Sequence, residues 1–444
     1  MADTDRARDF RKMNVLKQFA GTGTFRGLPL LLLAYAALMT HFIFGRTFRD
    51  SLLGSHLAIR SLPTLTMWST LVSIAVSLMV SNLFRSTRRK RIACAGFAVN
   101  AVIELTFSLA SNRPPWLYSL FFIDVSASTL IGLSMIWILI GDWASSCHAD
   151  RSRLIPAVML FGTAMSIVAG VALTRLRTAT SFRSANLILA AMSLIPVVAL
   201  LFHSNEQCLL RHGFTLQSLQ SRAYLPNKLL RKFALLVVVA AMTSTLLDLM
   251  FRIRVAEYYL NQADRLHFLG LFQSALNICS FLSQVAVGHL VQKKLISTFI
   301  HLHPAIIGIA SCLFAFAPGF WQFTCLRSGE YSLRNSLFRL GSEMTYACFP
   351  DQERATVRPL IDVIGERMGD LCASGILALL LLMNPTLPVK PGLLLLALCS
   401  FAFWWICRSL ERSINAIGLS TGQDLAVTAT TKYSGMAHES AGII

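Results

Sequence analysis

The sequence THFIFGRTFRD, residues Thr40–Asp50, is followed 203 positions later by a stretch of similar pattern, TSTLLDLMFRIR, residues Thr243–Arg254. The shift pairs identical residues within the two stretches: Thr40 with Thr243, Phe48 with Phe251, and Arg49 with Arg252. It also relates positions elsewhere: Lys90 and Lys293, Arg91 and Lys294, Pro115 and Pro318, Asp150 and Glu353, Arg151 and Arg354, Pro156 and Pro359, Gly162 and Gly365. One offset that holds along most of the chain predicts two related halves with the same orientation in a membrane, a pattern typical of transporters.

The composition predicts a protein of the lipid bilayer. Hydrophobic residues make up 55% of the sequence, charged residues 14%, and the mean hydropathy is +0.59, whereas soluble proteins carry about 25% charged residues. The net charge of +18 comes from short basic clusters between apolar runs, which orient membrane helices, so a nucleic-acid polymer is not an expected partner. The ten cysteines form no CxxC pair, and we therefore expect neither a disulfide framework nor a metal site. No cofactor is expected.

Apolar runs of roughly 20 residues can cross the hydrocarbon core, and the chain contains about twelve of them. In the first half they are Leu28–Phe44, Leu62–Phe84, Ile92–Ala110, Trp116–Ile140, Ile155–Leu173 and Ala185–Phe202. In the second half they are Phe233–Phe251, Leu266–Leu290, Leu295–Phe316, Trp321–Tyr346, Pro359–Met383 and Gly392–Cys407. The sequence thus predicts an all-α polytopic membrane protein with two six-helix pseudo-repeats.

The distribution of Lys and Arg in the short loops predicts the topology. Basic residues precede the first run and follow the second as RSTRRKR, residues Arg85–Arg91, which indicates that both termini are cytoplasmic. The expected domains are a cytoplasmic tail (1–27), a six-helix bundle (28–202), a cytoplasmic connector (203–232), a second bundle (233–407) and a disordered cytoplasmic tail (408–444). We expect a monomer in the inner membrane of a bacterium.

Two basic stretches depart from this charge rule. RTFRD, residues Arg46–Asp50, and FRIR, residues Phe251–Arg254, fall at the predicted outer ends of repeat-related helices, where few positive charges are expected. Arginine presents a rigid fork that binds phosphate oxygens in a bidentate manner, so matched arginines indicate a positively charged substrate chamber. The alternative is that these side chains extend to lipid headgroups at the interface.

Further ionisable residues interrupt the apolar runs: Glu104, Asp124, Asp248, Arg327, Glu330, Arg334, Arg339 and Glu343. Charges at such depth are costly and usually line a cavity. Helical spacing places Arg327, Glu330 and Arg334 on one face, and makes Arg339 and Glu343 an i,i+4 pair. For the pair of Glu330 and Arg334, a structural role in holding helices together is the alternative to substrate contact.

Three stretches resemble the ATP/ADP translocases of obligate intracellular bacteria and plastids. SLFRLGSEMTYACFPDQERATVRPLIDVIGERMGD, residues Ser336–Asp370, is similar to a family segment that reads roughly SLF-P--EM-Y-PL, a basic run, and K--IDVV. Residues Thr243–Arg254 and the stretch RTFRDSLLGSHLAIRSLP, residues Arg46–Pro63, resemble the two substrate-gate segments of the family. The resemblance implies twelve helices, a major-facilitator-like fold and the exchange of nucleotides across a membrane.

The resemblance also implies site residues. The lysine of the family's first helix falls on Arg49, the glutamate of its seventh helix on Asp248, the lysine before IDVV on Arg358, and the glutamate of its fourth helix nearest to Asp124. Because nucleotide phosphates must be stripped of water, fixed cations would offset the cost. We expect the substrate, a nucleotide or other small anion, to contact six residues: Arg49, Asp124, Asp248, Arg252, Arg254 and Arg358. The expected gate ion pairs involve Arg46, Asp50, Arg327, Glu330, Arg334 and Glu343.

A second hypothesis keeps the same fold with a different coupling. A proton-coupled carrier of another organic anion, a siderophore or a drug would need a titrating carboxylate, for which Asp124, Asp248 and Glu104 are candidates. An enzyme is not expected, because the sequence has no HExxH, GxSxG or P-loop motif and its histidines, such as His41, stand alone. No catalytic residues are predicted.

Overall fold

The computed structural model describes residues 27–84, 88–110, 112–146, 151–175, 181–203, 228–291, 296–339, 342, 360–383 and 389–413. Within these ranges twelve helices follow one another: α1 Leu28–Ser51, α2 Leu62–Leu83, α3 Arg89–Leu109, α4 Pro115–Ser146, α5 Arg151–Arg175, α6 Phe182–Phe202, α7 Lys228–Tyr258, α8 Gln262–Val291, α9 Ile296–Phe316, α10 Phe320–Leu333, α11 Glu366–Met383 and α12 Val389–Ser413. A π-helical turn, Arg334–Phe338, continues α10, and another, Leu360–Gly365, leads into α11.

These helices confirm the predicted all-α, polytopic class. In the described part of the chain, nine helices are long and apolar enough to cross a membrane. The other three are α9, whose apolar portion is His301–Phe316, and α10 and α11, which carry charged residues within short helices. The last part of the predicted tenth span and the start of the predicted eleventh, 343–359, lie outside the described residues.

The described residues divide into two compact units. The first unit takes its residues from Met1–Leu216 and Phe251–Leu282, and the second from Gln217–Met250 and Ser283–Ile444. This division follows packing, so the end of α7 and most of α8 belong with the helices of the first unit. The predicted limits of the two repeat halves, 28–202 and 233–407, stay a prediction.

The core of the first unit forms around α1. This helix packs against α4, α5 and α6, while α3 packs against α4 and α6, and α2 against α4. The buried core includes Leu31, Leu38, Phe97 and Trp143. The packing of three helices around α1 removes its polar residues from water, and each of them must then find a partner within the unit.

The second unit has its core between α7, the π-helical turn of α10 and α12, where Phe233, Phe338 and Phe403 meet. Helix α11 approaches α7 closely at Gly369. A Cβ atom at Gly369 would lie 2.5 Å from the carbonyl oxygen of Val238 and 2.6 Å from the Cβ of Ala241, a spacing that only glycine permits. Small residues allow such approaches between membrane helices.

Candidate functional site

A cluster of three arginines around one carboxylate forms in the first unit. We call it the Asp50 cluster; its members are Arg46, Arg49, Asp50 and Arg252. The Oδ1 atom of Asp50 accepts hydrogen bonds from Arg49, at 2.9 Å from Nε and 2.8 Å from Nη2, and from Arg252 Nη1 at 3.2 Å. Arg46 Nε lies 3.9 Å from Asp50 Oδ2. The structure therefore brings the repeat-related Arg49 and Arg252 onto one shared acceptor.

Arg49 is held from a second direction by α4. Its Nη1 atom donates to Ser126 Oγ at 2.5 Å, and its guanidinium carbon lies 4.4 Å from the ring centroid of Phe122. Ser126 and Phe122 are one turn apart on the helix, so the hydroxyl and the ring face contact the same planar group. A lysine could not make these contacts at once, because it has one nitrogen and no planar surface.

The Asp50 carboxylate is shared by three guanidinium groups. Arg49 and Asp50 are each only 6% exposed. The planar forks of Arg49 and Arg252 are suited to the paired oxygen atoms of an anionic group, so the arrangement can accept one.

A second charged cluster lies in the second unit, around Arg327 on α10. Arg327 Nη2 binds Asp248 Oδ1 at 2.8 Å, and Arg327 Nη1 binds the carboxylate of Glu330, one turn along the same helix. Arg327 Nη1 also donates to Ser244 Oγ at 3.3 Å, and Arg334 Nη1 donates to the same hydroxyl at 2.8 Å. We call this group the Arg327 cluster.

The Arg327 cluster contains more carboxylates than arginines. Arg334 Nη2 binds Glu366 Oε1 at 3.2 Å, so two arginines face three carboxylates. Next to it, the Asp370 carboxylate accepts from Thr245 Oγ1 and pairs with Arg367 at 2.7 Å. The described cations of this cluster are thus already neutralised, and the stronger candidate for binding an anion is the Asp50 cluster.

A third polar group is buried in the first unit between α1, α3 and α6. His41 Nε2 lies 2.5 Å from Glu104 Oε1, and Asn100 Nδ2 donates to the same oxygen at 3.0 Å. Ser193 Oγ donates to Glu104 Oε2 at 2.9 Å and accepts from Asn100 at 2.9 Å. Glu104 is fully buried, and His41 is 1% exposed. Asp124 on α4 lies close enough to interact electrostatically with both Glu104 and His41.

Two interpretations from the sequence are wrong. Glu330 forms its ion pair with Arg327 and not with Arg334, because the fold brings Glu366 of α11 to Arg334 and leaves the Glu330 carboxylate to Arg327. His41 does not stand alone, because the fold brings Glu104 to it across 63 residues of sequence.

The remaining predicted site residues fall in three places. Arg254 pairs with Glu257 on the next turn of α7, at 2.6 Å. Arg339 follows the π-helical turn of α10 and is exposed. Arg358 and Glu343 lie outside the described residues, so their expected roles stay predictions.

Sequence reasoning missed the hydroxyl groups that hold the arginines. Ser126 binds Arg49, and Ser244 binds both Arg327 and Arg334. Both serines occur in apolar runs, where a single hydroxyl is more often bonded to its own helix backbone. The one available signal was that each lies within a few residues of a predicted charged position on its own helix, Asp124 or Asp248.

Comparison with solved structures decides the fold. A crystal structure of a point mutant of the nucleoside transporter NupG matches this chain with a TM-score of 0.69 at 12% identity, over 86% of this chain and 99% of that one. The fold is major-facilitator-like. A further NupG crystal structure matches with a TM-score of 0.61 at 13% identity, over 88% of this chain and 99% of the other. No protein-family model and no curated protein matches the sequence.

Proposed function

We propose that this protein is a secondary transporter that moves nucleotides across a membrane and exchanges one nucleotide for another. The observation that carries the proposal is the Asp50 cluster, in which the repeat-related Arg49 and Arg252 bind the same carboxylate oxygen. Its guanidinium groups suit phosphate, and the resemblance of its surrounding sequence to ATP/ADP translocases suggests a nucleotide. The major-facilitator-like fold supports transport by alternating access.

In this proposal the substrate competes with Asp50 for the arginines. Phosphate oxygens replace the Asp50 carboxylate on Arg49 and Arg252. The two arginines share a single carboxylate oxygen of Asp50, whereas a phosphate offers several oxygens and can therefore accept more charge-assisted hydrogen bonds from them. The displaced carboxylate keeps a cation, since Arg46 Nε lies 3.9 Å from its other oxygen. Binding therefore exchanges ion pairs without leaving a buried charge unpaired, which keeps its cost low.

The test is uptake of radiolabelled ATP into proteoliposomes that contain the purified protein and ADP. We expect uptake that requires internal ADP and that is abolished in Arg49→Ala. Arg408→Ala, which removes an exposed arginine stacked on Trp404, is the matched control and should transport normally. Equal uptake by Arg49→Ala and the control would remove the Asp50 cluster from the transport path.

A second candidate function is proton-coupled transport of an uncharged nucleoside or of another organic anion, a siderophore or a drug. Two observations favour it: the buried pair of His41 and Glu104, and the fold shared with NupG, a nucleoside transporter. Uptake of adenosine or uridine that collapses with an uncoupler, together with no ATP uptake into vesicles loaded with ADP, would select this candidate.

We further propose that the protein acts as a monomer in a bacterial inner membrane with both termini in the cytoplasm. The basic clusters before the first and after the second apolar run support this orientation. Fusions of a reporter that is active only in the cytoplasm, placed at each terminus, test it. Activity at one terminus alone would contradict the proposal.

A further inference from the structure

Arg265 is a buried cation without a carboxylate partner in the described part of the chain. It lies in the first turn of α8 and is 1% exposed. Its Nη2 atom donates to Ser55 Oγ at 2.9 Å, whereas its Nε atom is buried and has no hydrogen-bond partner among the described residues. No described acidic side chain forms an ion pair with this guanidinium or interacts with it electrostatically. A buried charge without an opposite charge is costly, so this arginine needs an anion from outside the chain.

The surroundings of Arg265 add to its positive charge. The N-terminus of a helix carries a partial positive charge, so a cation in the first turn of α8 lies at the unfavourable end of its own helix. The pKa of His56 is lowered chiefly because its ring is partly shielded from water, and further by the charges of Arg265 and Arg113. Asp264 precedes Arg265 in the sequence, but it interacts electrostatically with Tyr259, in the connection between α7 and α8. The group that Arg265 lacks is therefore an anion.

The loop between α1 and α2 is shaped around this guanidinium. Gly54 has a φ of +82°, and a Cβ atom there would lie 2.6 Å from Arg265 Nη1, so only glycine leaves room for the group. The loop closes on itself, because the carbonyl oxygen of Leu52 accepts hydrogen bonds from the backbone amides of residues 55–57. These three amides are occupied and do not bind an anion. The donor that the fold leaves for a ligand is the Arg265 guanidinium itself.

The closeness of the loop to Arg265 favours a small inorganic anion. Arg265 is enclosed, whereas Ser55, which accepts its hydrogen bond, is exposed and also donates to the Leu52 carbonyl oxygen at 3.3 Å. A phosphate group of a nucleotide or a lipid would have to push this loop away. A halide ion is a single atom with one charge, so it needs little room and loses less hydration energy on burial than a phosphate with two charges.

We propose that Arg265 binds a chloride ion at its unpaired Nε atom and that this ion fastens the loop between α1 and α2 to the start of α8. The loop begins at Leu52, two residues after Asp50, so the bound ion also steadies the end of α1 that carries the Asp50 cluster. It is a different ion from the substrate anion that the proposed function places on Arg49 and Arg252. Its binding does not depend on which substrate the carrier moves.

The first test is thermal unfolding of the purified protein in detergent, with gluconate exchanged for chloride at constant ionic strength. The thermal midpoint of the wild type should rise by about 2–4 °C and then level off as chloride increases. Arg265→Gln should lose this rise. Arg60→Gln, which removes an exposed arginine of the same loop, is the matched control and should keep it. A wild-type midpoint that ignores chloride, or an equal rise in Arg265→Gln, would overturn the proposal.

Two further measurements separate this site from the Asp50 cluster and do not need a folded Arg265→Gln protein. Arg49→Ala should keep the chloride response, because it changes only the Asp50 cluster, and loss of the response in this variant would assign the chloride to that cluster instead. Anomalous diffraction from wild-type crystals grown in bromide should place a peak beside the Arg265 guanidinium. Crystals without a peak at this position would overturn the proposal, whatever the variants show.

Discussion

Replacing Asp50 with asparagine tests whether the Asp50 cluster is a set of cations that needs an anion. The substitution keeps the shape of the side chain and removes the charge that two arginines share, at 2.8 and 3.2 Å. At an effective dielectric constant of about 20, those contacts are worth about 6 and about 5 kcal/mol. The cost of removing the ions from water offsets much of this gain, so we expect a net loss of about 3–5 kcal/mol of stability.

The assay is thermal unfolding of the purified protein in detergent, with and without sulfate or phosphate in the buffer. Asp50→Asn should unfold at a lower temperature than the wild type, and the added anion should restore much of the difference by occupying the place of the carboxylate. Asp142→Asn is the matched control, since Asp142 pairs at 2.8 Å with a buried arginine outside the Asp50 cluster, Arg89. It should lose stability but recover less with the anion. An Asp50→Asn protein as stable as the wild type, with no response to anions, would refute the reasoning.

Three further predictions follow from other contacts. Gly369→Ala places a methyl group 2.5 Å from a backbone oxygen and should lower the stability of the fold by about 1–3 kcal/mol. Gly375→Ala on the same helix is the control, because its methyl group meets nothing within 4 Å. Equal thermal midpoints for the two variants would contradict this prediction. Ser244→Ala removes a hydroxyl bound to two arginines and should lower the stability by about 1–3 kcal/mol in the same assay. An unchanged thermal midpoint would show that water takes the place of the hydroxyl. His56, stacked on Tyr118, has a pKa lowered from 6.5, chiefly because its ring is partly shielded from water. The wild type should therefore lose stability below about pH 6.5 more steeply than His56→Gln, because the unfolded chain binds the proton more readily, and parallel pH profiles would contradict that assignment.

The sequence predicted nine of the helices well, because each of these is a long apolar run. It also singled out Arg49 and Arg252 through the repeat, and the fold places both on Asp50. The local sequence pattern was sufficient to pick out these two arginines, because the repeat relates their two helices directly. The prediction of an ion pair between Glu330 and Arg334 failed because it considered one helix alone, whereas Arg334 takes Glu366 of α11 as its partner.

The buried group around Glu104 could not be predicted from the sequence. Its members come from three helices, and no spacing rule connects His41 with Glu104 or Ser193. An isolated histidine on an apolar helix is usually a packed core residue, so its type alone carried little information. The charge balance of the two clusters was equally hidden, because it depends on which carboxylates the fold brings to each arginine.

The three guanidinium groups of the Asp50 cluster have a practical consequence for anyone who purifies this protein. A group of arginines gathered on one carboxylate does not distinguish sharply between a substrate and the small anions of common buffers. In phosphate or sulfate, a titration with nucleotide would measure displacement of the buffer anion and report too weak an affinity. Buffers whose only anion is large and singly charged would give the intrinsic value, and the difference between the two affinities would itself measure how strongly the empty carrier attracts inorganic anions.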